Sequence, residues 1–277
     1  MRQKKEKVTE GGLKMFDKFI NRFEIVGELE TVTAIHIGTA QKGMGIDANR
    51  QSFYKNAQGL PVIPGSSLKG AMRSFLERYL SSEFGRNLFP GENICTPENP
   101  CIQEKIPESE KPKSDREWGE YLFDKEKGKL CIICRLFGTK ESGAKLQIRD
   151  ARVLEETFGN AYEIRSGNSI DRDLGISTGG FKYEVEIVPE GTRFIFKMIL
   201  ENIDKTEEAC VKFLLKALEN GMILIGGMKT RGLGEMRLIN MKCQGIDKDS
   251  IKDFFIYGRM KEFNQNDIWI KEEQDVS

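Results

Sequence analysis

The chain has 277 residues, with 43 lysine and arginine residues against 43 aspartate and glutamate residues, so its formal net charge is zero. This length suits one large domain or a domain with a sizeable insertion. No stretch is apolar enough to span a bilayer, and the charged first residues lack the apolar segment of a secretory signal, so we expect a cytoplasmic protein. Balanced charge disfavours a broad basic surface. Any nucleic acid would be held by local phosphate contacts or within an assembly.

The first half of the chain predicts a strand, a long loop and a helix. Residues 1–20 are expected to form a mobile arm. Apolar and polar residues alternate over 23–32, which predicts a half-buried strand. Residues 38–59 predict a loop of a length that is usually functional or disordered, and a short strand follows over 60–63. A helix then begins after Pro64-Gly65, with Ser66 or Ser67 as its cap. Its apolar residues should face the core: Leu68, Met72, Phe75, Leu76 and Tyr79.

Residues 83–135 lose this periodicity and indicate an insertion without its own core. Beyond it, we expect strands over 145–153, 183–188, 193–200, 222–225 and 234–242, helices over 207–219 and 250–263, and a protruding polar hairpin over 165–182. Pro189 to Gly191 would close a second hairpin. The order of elements predicts the α+β class with a ferredoxin-like, RRM-like split βαβ core. The core domain would span 21–248, with 249–277 as a C-terminal helix and tail.

The insertion holds two close cysteine pairs, Cys95 with Cys101 and Cys131 with Cys134. Close thiolate pairs preorganise corners of a tetrahedral zinc site, and bound Zn²⁺ would supply folding energy to a loop-rich segment. The first spacing is wider than in most zinc fingers, and a disulfide or four unrelated thiols are the alternatives. Cys210 and Cys243 are expected to be core thiols.

Residues 36–73 hold several groups suited to polyanion chemistry. His36 is the only histidine, and Asp47 ends a glycine-punctuated loop. Asp47 is either an Asx turn or a carboxylate that holds a divalent cation against a scissile phosphate. The start of the following helix is a natural anion site, with Lys69 and Arg73 on one face. His36 is either a hydrogen-bonding residue at a strand end or a general base.

A second glycine-rich segment spans residues 226–234. Its glycines would let the main chain approach a phosphate closely, and Lys229 and Arg231 would add charge-assisted contacts. The alternative is a flexible hairpin turn.

The run from HIG through GID to IPGSSLKGAMR, together with IGGMKTRGLGEMRL at 225–238, resembles the RAMP-superfamily backbone subunits of type III CRISPR effector complexes. The resemblance covers roughly residues 23–240, and the insertion is similar to that of type III-D members. It implies a cytoplasmic endoribonuclease subunit that binds CRISPR guide RNA. The subunit would cut complementary single-stranded target RNA at regular intervals, beside other effector subunits and further copies of itself.

The resemblance also implies roles for particular residues. Asp47 would be catalytic with Mg²⁺ or Mn²⁺, and a zinc knuckle would precede Leu136-Phe137-Gly138. The hairpin at 165–182 would be a thumb in which Ile170 or Leu174 wedges between bases and Arg172 contacts the backbone. The implied RNA-binding residues are His36, Gly65, Ser66, Ser67, Lys69, Arg73, Lys229 and Arg231. Two alternatives stay open: a scaffold that binds RNA without cutting it, or a metal-independent guide-processing ribonuclease that uses His36.

Overall fold

The computed structural model describes residues 19–38, 50–89, 94, 95, 101, 114, 117, 130–140, 142–159, 162–167, 183–264, 269 and 270. The protein is a mixed α/β fold built on an antiparallel sheet. Among the described residues, no helix has the length and apolar character that crossing a membrane would require.

The strands, in chain order, are β1 (Arg22–Thr31), β2 (Arg50–Gln51), β3 (Val62–Ile63), β4 (Leu146–Ile148), β5 (Ala151–Arg152), β6 (Glu163–Gly167), β7 (Tyr183–Ile187), β8 (Arg193–Glu201), β9 (Met236–Ile246) and β10 (Lys261–Phe263). The helices are α1 (Gly65–Leu80), α2 (Glu83–Leu88), α3 (Ile132–Phe137), α4 (Glu155–Phe158), α5 (Lys205–Glu219) and α6 (Ile251–Tyr257), with a 3-10 turn at Lys229–Arg231.

The main sheet has the strand order β10-β9-β1-β8-β4, and all neighbouring strands are antiparallel. Its apolar face packs against α1 and α5, which contact each other as well as β4 and β9. β1 alternates as predicted and buries Phe23, Ile25 and Leu29 completely. The stripe expected on α5 is also buried, because its apolar residues recur at helical spacing.

The opposite face of the main sheet carries ion pairs. Lys197 lies 2.8 Å from Glu24 on the neighbouring strand, and Arg193 lies 2.9 Å from Glu30. An RRM stacks bases on aromatic side chains of its open sheet face. This face pairs opposite charges across β1 and β8 instead, so the described part of the sheet lacks the features of an RRM binding surface.

A smaller sheet lies beside the main one. In it, β7 pairs in parallel with β2 and antiparallel with β6. A small core holds this sheet to the loop before β9, since Val185, Ile187 and Leu233 are buried together with Met228 against them. β3 and β5 form a separate two-stranded ladder.

The hairpin expected at Pro189 to Gly191 is wrong, because β7 and β8 belong to different sheets. Val188 pairs with Ile35, and the Gly191 amide donates to the Thr31 carbonyl at 2.8 Å. The turn therefore passes the chain from one sheet to the other. The alternation of apolar and polar residues along each strand cannot reveal this change of sheet, because both strands are half-buried in either arrangement.

Three further expectations need correction. Residues 222–225 form no strand, and only Ile223 and Ile225 of this segment are buried. The predicted strand over 145–153 is split between β4 and β5, which pair with different partners. The helix expected to reach residue 263 ends at Gly258, which adopts the left-handed conformation with φ 65°, and β10 follows. Trp269 then returns to the core, where its ring centroid lies 5.4 Å from that of Phe23.

The start of α1 also differs from the prediction. Neither Ser66 nor Ser67 caps the helix, because both lie within its first turn after Pro64. The Gly65 amide instead donates to the Asp150 carboxylate at 2.8 Å. A carboxylate distant in sequence therefore supplies the acceptor that a local serine was expected to provide. Tyr79 is 41% exposed, so it is not part of the buried stripe of α1, which continues to Leu80.

Candidate functional site

A groove of about 420 Å³ opens between α1, the chain that follows β1 and the loop before β9. We call it the groove. Its lining combines small side chains, hydroxyls and one lysine: Ile37, Gly38, Ser66, Ser67, Gly70, Ala71, Ser74, Gly226, Gly227 and Lys229. Residues of both glycine-rich segments identified in the sequence therefore line the groove together with α1.

The glycine loop is fixed against the chain after β1. The Gly227 amide donates to the His36 carbonyl at 2.8 Å. Gly226 has φ +90°, and a Cβ there would lie 2.3 Å from the same carbonyl oxygen, so only glycine fits. Met228 packs on the smaller core and turns the chain into the 3-10 turn that carries the exposed Lys229. The loop is thus anchored at both ends and presents a cation to the groove.

The face of α1 that lines the groove is made of small residues. Ser66, Gly70 and Ser74 are each four apart and so lie on one side of the helix. A Cβ on Gly70 would meet no atom within 4 Å. Sequence reasoning missed Gly70, Ala71 and Ser74 as site residues. The signal was present as small residues at helical spacing opposite the apolar stripe.

Gly65, Lys69 and Arg73 are placed differently from the sequence expectation. Gly65 is buried, and its amide is already bonded to Asp150. Lys69 is not among the residues that line the groove. Burial lowers the pKa of Lys69, and the nearby charge of Arg73 lowers it further. Arg73 points away from the groove, toward the cysteine cluster described below.

His36 is buried beneath the rim of the groove. Its Nδ1 lies 2.7 Å from the Glu186 carbonyl oxygen. A carbonyl only accepts, so Nδ1 carries the proton and the ring is held in one orientation. A Cβ on Gly38 would lie 3.0 Å from Nε2, so the ring packs closely against the main chain at Gly38. His36 therefore supports the rim of the groove close to Gly38, the last residue before the segment that holds Asp47.

Residues 39–49, which include Asp47, lie outside the described residues, as do Ile170, Arg172 and Leu174. The chain that flanks them is described. Gly38 pairs with Phe53, which closes the base of the first segment. Arg50 pairs with Glu184 on β7. Gly167 pairs with Tyr183, so β6 and β7 are antiparallel where residues 168–182 leave the sheet. The small sheet thus contains the residue that follows the first segment and both residues that flank the second.

The four cysteines of the insertion converge. Their sulfurs all lie within 4.8 Å of one another, with Cys95 3.4 Å from Cys134 and 3.6 Å from Cys131. A tetrahedron with Zn–S bonds of about 2.3 Å has sulfurs about 3.8 Å apart, so the donor set fits a zinc ion. Hydrogen bonds within the cluster distribute its protons unevenly: a bond from Cys101, with a second from Cys134, lowers the pKa of Cys95, while the pKa values of Cys101 and Cys134 are raised. None of the cysteines in the described part of the chain forms a disulfide.

The cluster is tied to the core by a buried ion network. Arg135, one residue after Cys134, lies 3.1 Å from the carboxylate of Glu207, and Lys145 lies 2.7 Å from the same group. Glu207 is fully buried in the first turn of α5. Two cations satisfy its charge, which keeps α3 fixed against α5.

The chain is similar to a known protein family. A family model described as the RAMP superfamily matches residues 28–237, well over half of the chain. The chain belongs to the RAMP superfamily. The matched residues include the end of β1, α1, the cysteine cluster, β8, α5 and the glycine loop, and the match confirms the resemblance drawn from the two glycine-rich motifs.

Curated relatives of this RAMP protein carry the name "CRISPR system Cms endoribonuclease Csm3". The protein from Methanocaldococcus jannaschii is 29% identical over 229 residues, which cover 78% of each chain. The one from Enterococcus italicus is 28% identical over 235 residues, or 79% of this chain and 90% of the relative. The one from Streptococcus thermophilus is 25% identical over 232 residues, covering 81% and 90%.

Proposed function

We propose that this RAMP protein is an RNA-guided endoribonuclease subunit of a type III CRISPR effector complex. It would bind guide RNA and cut complementary single-stranded target RNA, in company with other effector subunits and further copies of itself. The single observation that carries the proposal is the groove. Residues of both glycine-rich motifs line it, and so does Gly38, which directly precedes the segment that holds Asp47.

The groove suits a sugar–phosphate backbone better than a base. The serine hydroxyls on α1 are hydrogen-bonding groups, and Lys229 adds a charge. Small side chains let a backbone approach closely. One lysine among neutral groups also agrees with the zero net charge of the chain. We therefore assign guide-RNA contacts to Ser66, Ser67, Lys229 and the 3-10 turn that includes Arg231, with His36 as support.

Asp47 is our candidate for the catalytic carboxylate. Three peptide units separate it from Arg50, and each residue spans at most about 3.6 Å, so its Cα stays within about 11 Å of the Arg50 Cα. Arg50 is paired to β7 at the root of residues 168–182. This limit supports a carboxylate close to a target strand that those residues would engage. A bound Mg²⁺ or Mn²⁺ would offset negative charge on the scissile phosphate. The adjacent 2′-hydroxyl would lose its proton and form the new P–O bond of a 2′,3′-cyclic phosphate, while the bond to the 5′-oxygen of the next nucleotide breaks and that oxygen leaves as a hydroxyl.

Other parts of the proposal concern architecture. The order β9-β1-β8-β4, with α1 and α5 in the two crossovers, supports a ferredoxin-like core within 21–248, with 249–277 as a segment that packs back on it. The antiparallel β6 and β7 support a thumb at 165–182, with Ile170 and Arg172 as its RNA contacts. Insertion 83–135 would be a zinc knuckle held by Cys95, Cys101, Cys131 and Cys134.

The decisive experiment compares two isosteric carboxylate changes in the assembled complex. Asp47→Asn should lower the single-turnover rate of target cleavage by about 100-fold or more, because a metal ion supplies several kcal/mol of transition-state stabilisation. Affinity for guide and target should stay the same. The matched control is Asp150→Asn, whose amide oxygen can still accept from Gly65. It should cut at nearly the normal rate.

The other possible functions are outcomes of the same experiment. Unchanged cleavage sites and rates in Asp47→Asn would overturn the enzymatic role of this carboxylate. A complex that binds target and never cuts it would indicate the scaffold. Cleavage of repeat RNA by the purified chain in EDTA, lost in His36→Ala, would indicate the guide-processing ribonuclease.

A further inference from the structure

Arg73 connects the groove helix to the cysteine cluster. Its Nη2 lies 3.9 Å from the Cys134 sulfur, and its Nη1 donates to the Gly138 carbonyl at 3.0 Å. Its Nε donates to Glu77 on the same helix at 2.8 Å. One guanidinium therefore spans α1, the C-terminal end of α3 and a cluster sulfur, and these contacts use donors from all three of its nitrogens.

The chemistry of the cluster explains the need for a cation there. Four thiolates around one Zn²⁺ leave a net charge of about −2, and half-buried charge is costly without donors around it. Such donors lie around the cluster in the described part of the chain. The Cys131 amide lies 3.2 Å from the Cys101 sulfur, and Arg73 faces the Cys134 sulfur. Of the two, only Arg73 brings a full positive charge.

We propose that Arg73 is a positioning residue of the thiolate metal site and not an RNA ligand. It offsets the charge of the metal–thiolate centre and caps the carbonyl that ends α3. In doing so it fixes α1, whose adjacent small-residue face forms a wall of the groove. Occupancy of the metal site and the position of the groove helix are thereby coupled through one side chain.

The consequence for metal binding is measurable without RNA. Substitution of groups that surround metal ligands typically costs 10–100-fold in metal affinity. Zinc transfer from the full-length protein to a chromophoric chelator should be about 10-fold faster or more in Arg73→Gln. Arg73→Lys keeps the charge without the planar fork, so it should fall between Arg73→Gln and the unchanged protein.

The matched control is Lys69→Gln, which removes a cation one turn away on the same helix. Zinc transfer from this variant should match the unchanged protein. Thermal unfolding of each zinc-loaded variant shows whether the fold is intact. Equal transfer rates for Arg73→Gln, Lys69→Gln and the unchanged protein would overturn the proposal, even if all three bind RNA normally.

A second measurement separates the metal role from an RNA role. Loss of one phosphate contact lowers the slope of log affinity against log salt by about one. With a fluorescent 20-residue oligouridylate, Lys229→Gln should show this decrease, whereas zinc-loaded Arg73→Gln should keep the slope of the unchanged protein. A decrease of about one in Arg73→Gln would assign the side chain to RNA and overturn the proposal. Because the zinc measurement needs no RNA, failure of the proposed nuclease function would leave this test intact.

Discussion

The ammonium nitrogen of Lys55 lies 2.9 Å from the carboxylate of Glu186. The same carboxylate accepts from the Phe53 amide at 3.1 Å. The main-chain carbonyl of Glu186 holds the ring of His36. His36 precedes residues 39–49, which include Asp47, while Phe53 and Lys55 follow them. A single residue of β7 therefore holds the chain on both sides of that segment.

Removing either partner of this pair should destabilise the protein unequally. Lys55→Met removes the charge of Lys55 from the Glu186 carboxylate, whose side chain is 8% exposed, and should cost about 2–3 kcal/mol. Glu186→Gln leaves the more exposed Lys55 free to reach water and should cost less. The double variant should recover part of the loss. Urea unfolding measures all three, and single costs that simply add would show that the pair is not coupled.

Filling the groove at Gly70 should separate binding from folding. Gly70→Ala and Gly70→Leu both replace a poor helix former and should each stabilise the protein by roughly 0.5–1 kcal/mol. The leucine side chain would project into the open space of the groove. Guide-RNA affinity should therefore fall at least about 10-fold in Gly70→Leu and change little in Gly70→Ala. The two variants have similar helix propensity, so the difference in affinity would come from the volume of the leucine side chain. Equal affinity in the two variants would place the RNA elsewhere.

The cysteine cluster should bind one zinc ion per chain. Elemental analysis of protein made in metal-sufficient medium should show this stoichiometry, and Cys134→Ser should lose it. Cys243→Ser is the control, because this thiol lies in the core outside the cluster and should leave zinc unchanged. Burial raises the pKa of Cys243 to about 12, so it should not react with a thiol reagent at pH 8 in the folded protein. Zinc-free protein with four freely reactive cluster thiols would contradict this prediction.

Acid should weaken the ion pairs of the main sheet. Burial acts to raise the pKa of Glu24, but hydrogen bonds from Lys197 and Arg22 outweigh it and hold the pKa below its ordinary value of 4.5. A carboxylate with a lowered pKa stabilises the fold above its unfolded pKa, and this contribution is lost as the pH falls through the folded value. Unfolding free energy measured from pH 7 to pH 3 should drop less steeply in Glu24→Gln. Parallel curves would mean that Glu24 contributes nothing to acid sensitivity.

The sequence predicted the elements whose periodicity is local, such as β1 and α5, and it brought the two glycine-rich motifs to notice. It could not predict that Asp150 caps α1, because that contact depends on a fold-wide approach of residues 85 positions apart. Helical spacing put Lys69 and Arg73 on one face, which is correct, but spacing does not say which neighbour that face meets. The groove is lined by the small residues of α1 and not by these two cations.

Both outermost strands of the main sheet, β4 and β10, are only three residues long. β10 pairs with only Cys243, Gln244 and Gly245 of β9, so within the described residues the outer edge of β9 from Met236 to Lys242 has no strand beside it. An uncovered edge of this length is a place where a strand of another chain could extend the main sheet.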